Sequence, residues 1–156
     1  MHRPTGETVL LYGFNDSQRL REINYVMVQM GIRVKIIKDD QIGQTVGFLA
    51  GVKGMEENPD AEKYEPLNEE IMIMHNFSIS KRIDLMLSNI KKRGLEGIPL
   101  KCIMTSTNKN WTLYELAKEL EREHSILTGQ MTPDEGTEEV KEEEKKSGVI
   151  EEKEGE

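Results

Sequence analysis

The stretch Val9-Leu-Leu-Tyr-Gly-Phe14 decides the fold, because a similar stretch, Met72-Ile-Met-His-Asn-Phe77, occurs again later in the chain. Each is followed by a segment with helical spacing of apolar residues, then by a glycine, Gly31 or Gly94, and then by a second apolar run. The match continues from Thr45-Val-Gly-Phe-Leu-Ala50 to Thr112-Leu-Tyr-Glu-Leu-Ala117, so both halves have the pattern strand, helix, strand, helix. An internal repeat of this kind predicts the architecture before any functional motif is considered.

The apolar runs also predict where each strand lies in the sheet. Thr8 to Phe14 and Ile71-Met-Ile-Met74 are apolar at successive positions, which is typical of strands covered on both faces. Lysines interrupt Val34-Lys-Ile-Ile37 and Leu100-Lys-Cys-Ile103, so we expect these two to be half-exposed edge strands. A short strand-helix-strand connection makes its two strands parallel neighbours.

These features predict an α/β fold, internally duplicated, with a four-stranded sheet in the order 2-1-3-4. Strands 1 and 3 are central, and helices cover both faces. The alternative is a ferredoxin-like split sheet, which has the same central strands but leaves one face open. The two-sided apolar character of the central strands argues against that alternative.

The 156 residues have room for one domain with one core. We expect residues 1-127 to form a single duplicated domain, with a first half at 8-53, a linker at 54-68 and a second half at 69-127. Residues 128-156 contain eleven acidic residues and four lysines, a net charge of −7 out of −8 for the chain. With so few apolar residues, this acidic tail is predicted to be disordered.

The composition disfavours several classes of function. Without the tail the chain has a net charge of only −1, and no clustered lysines and arginines suggest a nucleic-acid surface. No run of 18 apolar residues predicts a membrane span, and we expect a cytoplasmic protein. The single cysteine, Cys102, provides neither an internal disulfide nor paired metal ligands, and it is predicted to be inert packing.

The first candidate site follows from the predicted doubly wound sheet. Ligands of open α/β sheets usually bind in a crevice at the carboxyl ends of the strands, where the chain reverses direction. The residues expected there are Gly13 and Asn15 after the first strand, and Asn76 and Ser78 after the third. Glycine permits close approach, and the polar side chains offer neutral donors and acceptors. The same residue types also serve as ordinary strand ends and helix caps.

A second candidate is the polar run Thr105-Ser-Thr-Asn-Lys-Asn110, which precedes the last predicted helix. Free amide groups at a helix start can hold an anion, and Lys109 adds a cation. Thr105, Asn108 and Lys109 are therefore included in the predicted ligand-binding set. The run contains no glycine and cannot wrap a phosphate as a P-loop does, so a structural loop remains the alternative.

Other polar residues predict no defined chemistry. Asp39 and Asp40 end the second strand and resemble half of a magnesium site, but no third acid is placed by the sequence, and a solvated turn is favoured over a metal site. His75 occupies the position of Tyr12 in the other half and is expected to be a core or strand-end residue. No nucleophile-base-acid set and no cofactor motif is present, so enzymatic activity stays open.

The second half resembles a bacterial domain of unknown function. The resemblance rests on a Pro-Leu-Lys / Thr-x-x-Asn-x-x-Trp-Thr / Glu-His signature, whose residues here are Pro99, Leu100, Lys101, Thr105, Asn108, Trp111, Thr112, Glu123 and His124. The family implies no activity that could be transferred. It does imply that Thr105, Asn108 and Trp111 matter to the domain.

The sequence therefore predicts a small cytoplasmic binding or regulatory module, with a small anionic metabolite as its ligand. One alternative is an enzyme that uses Asp39, Asp40, His75 and Lys109 around the same crevice. Another is a protein-interaction domain whose acidic tail recruits basic partners.

Deletion of residues 128-156 tests the predicted independence of the body from the tail. The thermal midpoint should stay almost unchanged, because the segment offers so few apolar side chains to bury. Differential scanning calorimetry of the full and shortened chains measures this directly. A loss of several degrees would show that the tail packs on the body.

Overall fold

The computed structural model of the protein describes residues 6–127, and the predicted acidic tail lies outside them. The strands and main helices are β1 (Thr8–Tyr12), α1 (Ser17–Met30), β2 (Arg33–Ile36), α2 (Val46–Ala50), β3 (Ile71–His75), α3 (Ser80–Lys92), β4 (Leu100–Ile103) and α4 (Leu113–Leu127). Two short 3₁₀ helices, at Asp39–Gln41 and Asn108–Asn110, precede α2 and α4. The described part of the chain contains no helix long and apolar enough to cross a membrane.

The four strands form one sheet in the order β2-β1-β3-β4, which confirms the predicted order with β1 and β3 at the centre. β1 is parallel to β2, and β3 is parallel to β4. The two central strands are antiparallel, with Tyr12 opposite Ile71 and Thr8 opposite His75. We call the two ends of the sheet the Tyr12 end and the His75 end.

Helices cover both faces of the sheet, as predicted. On one face, the side chains of Val9, Leu11, Met72 and Met74 pack against α1 and α3. On the other face, Leu10 and Ile73 belong to a buried cluster that includes residues of α2 and α4. The ferredoxin-like alternative is therefore wrong, because the central strands alternate between two apolar layers instead of facing one.

Local capping explains where the helices begin and end. The Asp16 carboxylate accepts hydrogen bonds from the amides of Gln18 and Arg19 at the start of α1, and Gly31 ends the helix in the left-handed conformation. At α4, the Thr112 amide donates to the Glu115 carboxylate (2.9 Å), and the Glu115 amide donates to the Thr112 hydroxyl (3.0 Å). This reciprocal pair is a capping box, the arrangement expected for a threonine at the cap with a glutamate three residues later.

Hydrogen bonds and ion pairs connect the two halves reciprocally. The Val46 amide donates to the Trp111 carbonyl (2.8 Å), and the Leu113 amide donates to the Gln44 carbonyl (3.0 Å). These two bonds flank an antiparallel bridge between Thr45 and Thr112, just where α2 and α4 begin.

Two ion pairs also connect the halves reciprocally. Arg19 of the first half makes a bidentate pair with Glu70 of the second (2.6 and 2.7 Å). Arg82 of the second half makes a bidentate pair with Glu7 of the first (3.0 and 2.6 Å). Each arginine lies 63 positions from its counterpart, and so does each glutamate. This reciprocity supports the internal repeat, whose origin by duplication stays a prediction.

The linker at 54-68 is more closely attached to the body than a plain surface loop. The Gln44 side chain donates to the Asn58 carbonyl and accepts from the Asn58 amide. The Tyr64 ring stacks on the Tyr114 ring with centroids 3.8 Å apart. Leu67 is buried in the core cluster of the α2 and α4 face. The linker thus contacts both halves and fixes how the chain enters β3.

The two edge strands differ in exposure. In β2, Arg33 and Ile36 are exposed, as expected for an edge. In β4, the first three residues are buried, and the ammonium group of Lys101 donates to the Ile98 carbonyl (2.9 Å). The prediction that β4 is half-exposed is wrong, because Lys101 is buried with its charge hydrogen-bonded instead of facing solvent.

Candidate functional site

The antiparallel centre of the sheet separates the residues predicted to form one crevice. Gly13 and Asn15 follow β1 and lie at the Tyr12 end. Asn76 and Ser78 follow β3 and lie at the His75 end, together with Thr105, which follows β4. The predicted single crevice at the carboxyl ends of strands 1 and 3 is therefore wrong.

The physical reason is the path of the chain between β2 and β3. β2 ends next to Leu11, at the Tyr12 end, and β3 begins opposite Tyr12, at the same end. The chain leaves and re-enters the sheet on one side, so β3 must run antiparallel to β1. Topological switch-point crevices form between parallel strands, whose carboxyl ends meet.

Two of the seven residues predicted to bind a ligand, Gly13 and Asn15, do line a cavity. A pocket of about 370 Å³ opens at the Tyr12 end, between the carboxyl ends of β1 and β2 and the end of the linker. Its polar lining includes Gly13, Asn15, Lys38, Asp39 and Asn68. Within the described residues, the side-chain amides of Asn15 and Asn68 have no hydrogen-bond partner, and the Lys38 ammonium has no ion-pair partner. These three groups remain available to a ligand.

A buried phenol organises one wall of this pocket. The Tyr12 hydroxyl donates to the Asp39 carboxylate (2.6 Å) and accepts from the Leu67 amide (3.1 Å). Burial, with the bond to Asp39, raises the pKa of Tyr12 to about 12. Tyr12 therefore connects β1, the turn after β2 and the linker, and it holds Asp39 in place.

Both the backbone conformation and the space available for a side chain require glycine at position 13. Its φ of +84° lies in the left-handed region, and an added Cβ would clash with the backbone carbonyl of Glu69. The close approach brings the turn after β1 against the residues that begin β3. Gly13 thus shapes the pocket wall and offers backbone, instead of a side chain, to a ligand.

A larger, more open cleft of about 650 Å³ lies beside the pocket and shares Asn68 with it. Arg19 lies in this cleft, but its guanidinium is held by Glu70 and by the Gly97 carbonyl (3.2 Å). The Glu70 bond raises the pKa of Arg19 further above its ordinary value. The remaining charged lining residues are acidic: Asp16, Glu69 and Glu96.

At the His75 end, Asn108 has a structural role. Its side chain is completely buried, accepts a hydrogen bond from the Thr105 amide (2.8 Å) and donates to the Ile103 carbonyl (3.1 Å). The Thr105 hydroxyl accepts from the Asn108 amide in return (3.0 Å). The prediction that Asn108 faces a ligand is wrong, because both ends of its amide are used to close the loop after β4.

The corresponding turn in the first half is closed in a similar way. The Lys38 amide donates to the side-chain oxygen of Gln41 (2.8 Å), at positions equivalent to Thr105 and Asn108. Trp111 is partly buried against the core cluster that contains Leu116. The Thr-x-x-Asn-x-x-Trp-Thr signature thus describes a loop that positions α4.

The residues of the alternative enzyme do not converge. Asp39 lies in the pocket at the Tyr12 end, and Asp40 is exposed beside it. His75 ends β3 at the opposite end of the sheet, where burial and then the charge of Lys35 lower its pKa. The backbone of Lys109 lies against Gly47 of α2. Among the described residues, no group of three or more histidines, cysteines or acids could hold a metal ion.

Pocket residues from the linker could not be identified from the sequence. Leu67 and Asn68 are distant in sequence from Tyr12 and Asp39, and no motif connects them. The only signal was the apolar Leu67 after Pro66, which is weak.

Burial raises the pKa of Cys102 to about 12, which agrees with the expectation of an inert thiol.

Asn108→Ala should destabilise the domain by about 2 to 4 kcal/mol, because two backbone groups lose their partner in a buried loop. Asn110→Ala is the matched control, since its side chain bonds the Ser106 carbonyl in an exposed position. That variant should change the free energy of unfolding by about 0.5 kcal/mol or less. Urea unfolding followed by circular dichroism measures both, and equal effects would contradict the structural role.

Tyr12→Phe should lower the free energy of unfolding by about 1 to 3 kcal/mol at pH 8, since the Leu67 amide loses its acceptor. The raised pKa of Tyr12 stabilises the folded state below pH 10, and this contribution is lost as the pH rises from 10 to 12. The difference between wild type and variant should therefore shrink over that range. Urea unfolding at pH 8, 10 and 11.5 checks it, and a constant difference would contradict the assignment.

Comparison with known proteins identifies a similarity in the second half. Residues 70–127 match the family described as "Domain of unknown function (DUF3783)". This region runs from the residue before β3 to the end of α4, and it contains the Asn108 loop and the capping box. No curated protein and no solved structure shows significant similarity to the chain. The second half of the protein is thus similar to a domain family whose function is unknown.

Proposed function

We propose that the protein is a small-molecule binding module whose ligand site is the pocket at the Tyr12 end, and that the ligand is a small anion. The observation that carries the proposal is the set of available polar groups around a formed cavity. Asn15 and Asn68 contribute amides, and Lys38 contributes an ammonium group. Pockets with a few convergent polar groups in a rigid frame are typical of ligand sites.

The Lys38 ammonium is the group in the pocket that suits an anion of modest size. Lys38 has no ion-pair partner among the described residues, and the Asp39 carboxylate, which keeps its negative charge, is held by a hydrogen bond from the Tyr12 hydroxyl. An anionic ligand group can form a charge-assisted hydrogen bond with Lys38 while the amides of Asn15 and Asn68 orient it. The volume of about 370 Å³ suits a small metabolite.

The frame around the pocket supports binding more than catalysis. Tyr12 is neutral at physiological pH, because its pKa is about 12, and it makes hydrogen bonds in both directions. The residues predicted for the alternative enzyme are divided between the two ends of the sheet. A cytoplasmic location and a regulatory role remain expectations from the sequence.

The proposal is tested by titrating the isotopically labelled protein with inorganic phosphate and with citrate. Amide signals of Gly13, Asn15 and Lys38 should shift together and saturate. Lys38→Gln should weaken binding about tenfold, because a charge-assisted hydrogen bond is lost.

Lys109→Gln is the matched control, since Lys109 was also predicted to bind an anion but lies outside this pocket. It should leave the affinity unchanged. The proposal fails if no anion shifts the pocket residues at millimolar concentration, or if both lysine variants weaken binding equally.

A further inference from the structure

The outer edge of β2 is an open sheet edge in the described part of the chain. β2 has β1 as its neighbour on one side and no strand on the other. Ile36 is 50% exposed, and Arg33 is exposed as well. The opposite edge strand, β4, is buried over most of its length. Of the two edge strands, β2 is thus the more exposed.

The backbone of β2 offers unused hydrogen-bonding groups along this edge. The amides of Arg33 and Ile37 donate to the carbonyls of Glu7 and Leu11 on the β1 side, both at 2.9 Å. In a parallel ladder, alternate residues direct their backbone groups to the same neighbour. Val34 and Ile36 consequently direct theirs outward, which provides two donors and two acceptors for an added strand.

We propose that this edge of β2 binds an extended acidic segment of a partner protein, which joins the sheet as a fifth strand. β2 and the two residues that follow it contain three basic residues: Arg33, Lys35 and Lys38. No acidic residue lies between them. Acidic side chains on the added strand complement these charges. The exposed Ile36 side chain provides an apolar contact on the α1 side of the sheet.

The charge pattern also determines where the acidic residues of the partner lie. Asp39 and Asp40 follow Lys38 at the Tyr12 end. The acids of the added strand therefore align with Arg33 and Lys35, toward the His75 end. A second copy of the chain fits this edge poorly, because pairing β2 with β2 would bring arginines and lysines together.

The test uses the full chain and a capped peptide of alternating glutamate and valine as the probe. Amide hydrogen exchange is followed by NMR. In the free protein, the Val34 and Ile36 amides should exchange rapidly, while the Lys35 and Ile37 amides are protected by β1. At saturating peptide, exchange at Val34 and Ile36 should slow by at least about tenfold, as expected for new backbone hydrogen bonds.

Variants and a modified probe separate strand addition from simple charge attraction. Arg33→Glu should weaken peptide binding at least about tenfold, the size expected for reversing one charge in a directly paired position. Val28→Glu is the control, because Val28 is 59% exposed on α1 and lies outside the edge. A peptide that is N-methylated at alternate residues should not bind.

Four results would overturn the proposal. If the Val34 and Ile36 amides are protected from exchange without peptide, independent of protein concentration, another segment of the same chain covers this edge. If their protection grows with protein concentration, a second copy of the chain covers this edge. Equal binding of the N-methylated peptide would show attraction without strand addition. The absence of protection at millimolar peptide would show that this edge does not bind such a segment.

Discussion

The antiparallel pairing of β1 with β3 is the constraint on which the rest of the structure depends. It joins two parallel strand pairs into one sheet and places each half's strand ends at opposite sides. Nine of the ten residues of the two central strands are buried, and their side chains alternate between the two faces, so each strand contributes to both apolar layers. The helices then have little freedom, since each must cover the side chains that its own strand pair presents.

The crossed ion pairs reinforce this central pairing from the two ends of the sheet. Arg19 with Glu70 lies at the Tyr12 end, and Arg82 with Glu7 lies at the His75 end. Each arginine also donates to a backbone carbonyl, of Gly97 or of Met30. Bidentate arginine-carboxylate pairs of low exposure are directional, so they select this register and orientation of the halves. Their net contribution to stability is smaller than their number of contacts suggests.

Much of the fold was predictable because its signals are local. The order of strands followed from which apolar runs were two-sided, and the start of α4 followed from Thr112 and Glu115, three residues apart. The direction of β3 was not predictable, because it depends on where residues 54-68 return the chain. Those residues carry no periodicity, and the contacts that position them, such as Gln44 with Asn58, are distant in sequence.

The candidate site was predictable only in part, for the same physical reason. Gly13 and Asn15 are two positions apart in the chain and share a pocket, whereas Asn68 reaches it through the linker. Asn108 has the composition of a ligand-binding residue, but its burial depends on how Ile103 and Thr105 fold around it. A polar side chain in a loop can thus hydrogen-bond either to the backbone or to a ligand. Only the three-dimensional path of the loop determines which of the two it does.

The reciprocal exchange of arginines and glutamates makes the two halves complementary fragments. Either half alone would retain one guanidinium and one carboxylate without their partners, and it would expose the central strand that normally contacts the other half. The central strand pairing therefore joins residues 59 to 67 positions apart in the sequence, and contacts of such large separation slow folding. In such a protein residues 54-68 act as a tether that raises the local concentration of one half around the other. Assembly of the domain then resembles the association of two subunits that happen to share one chain.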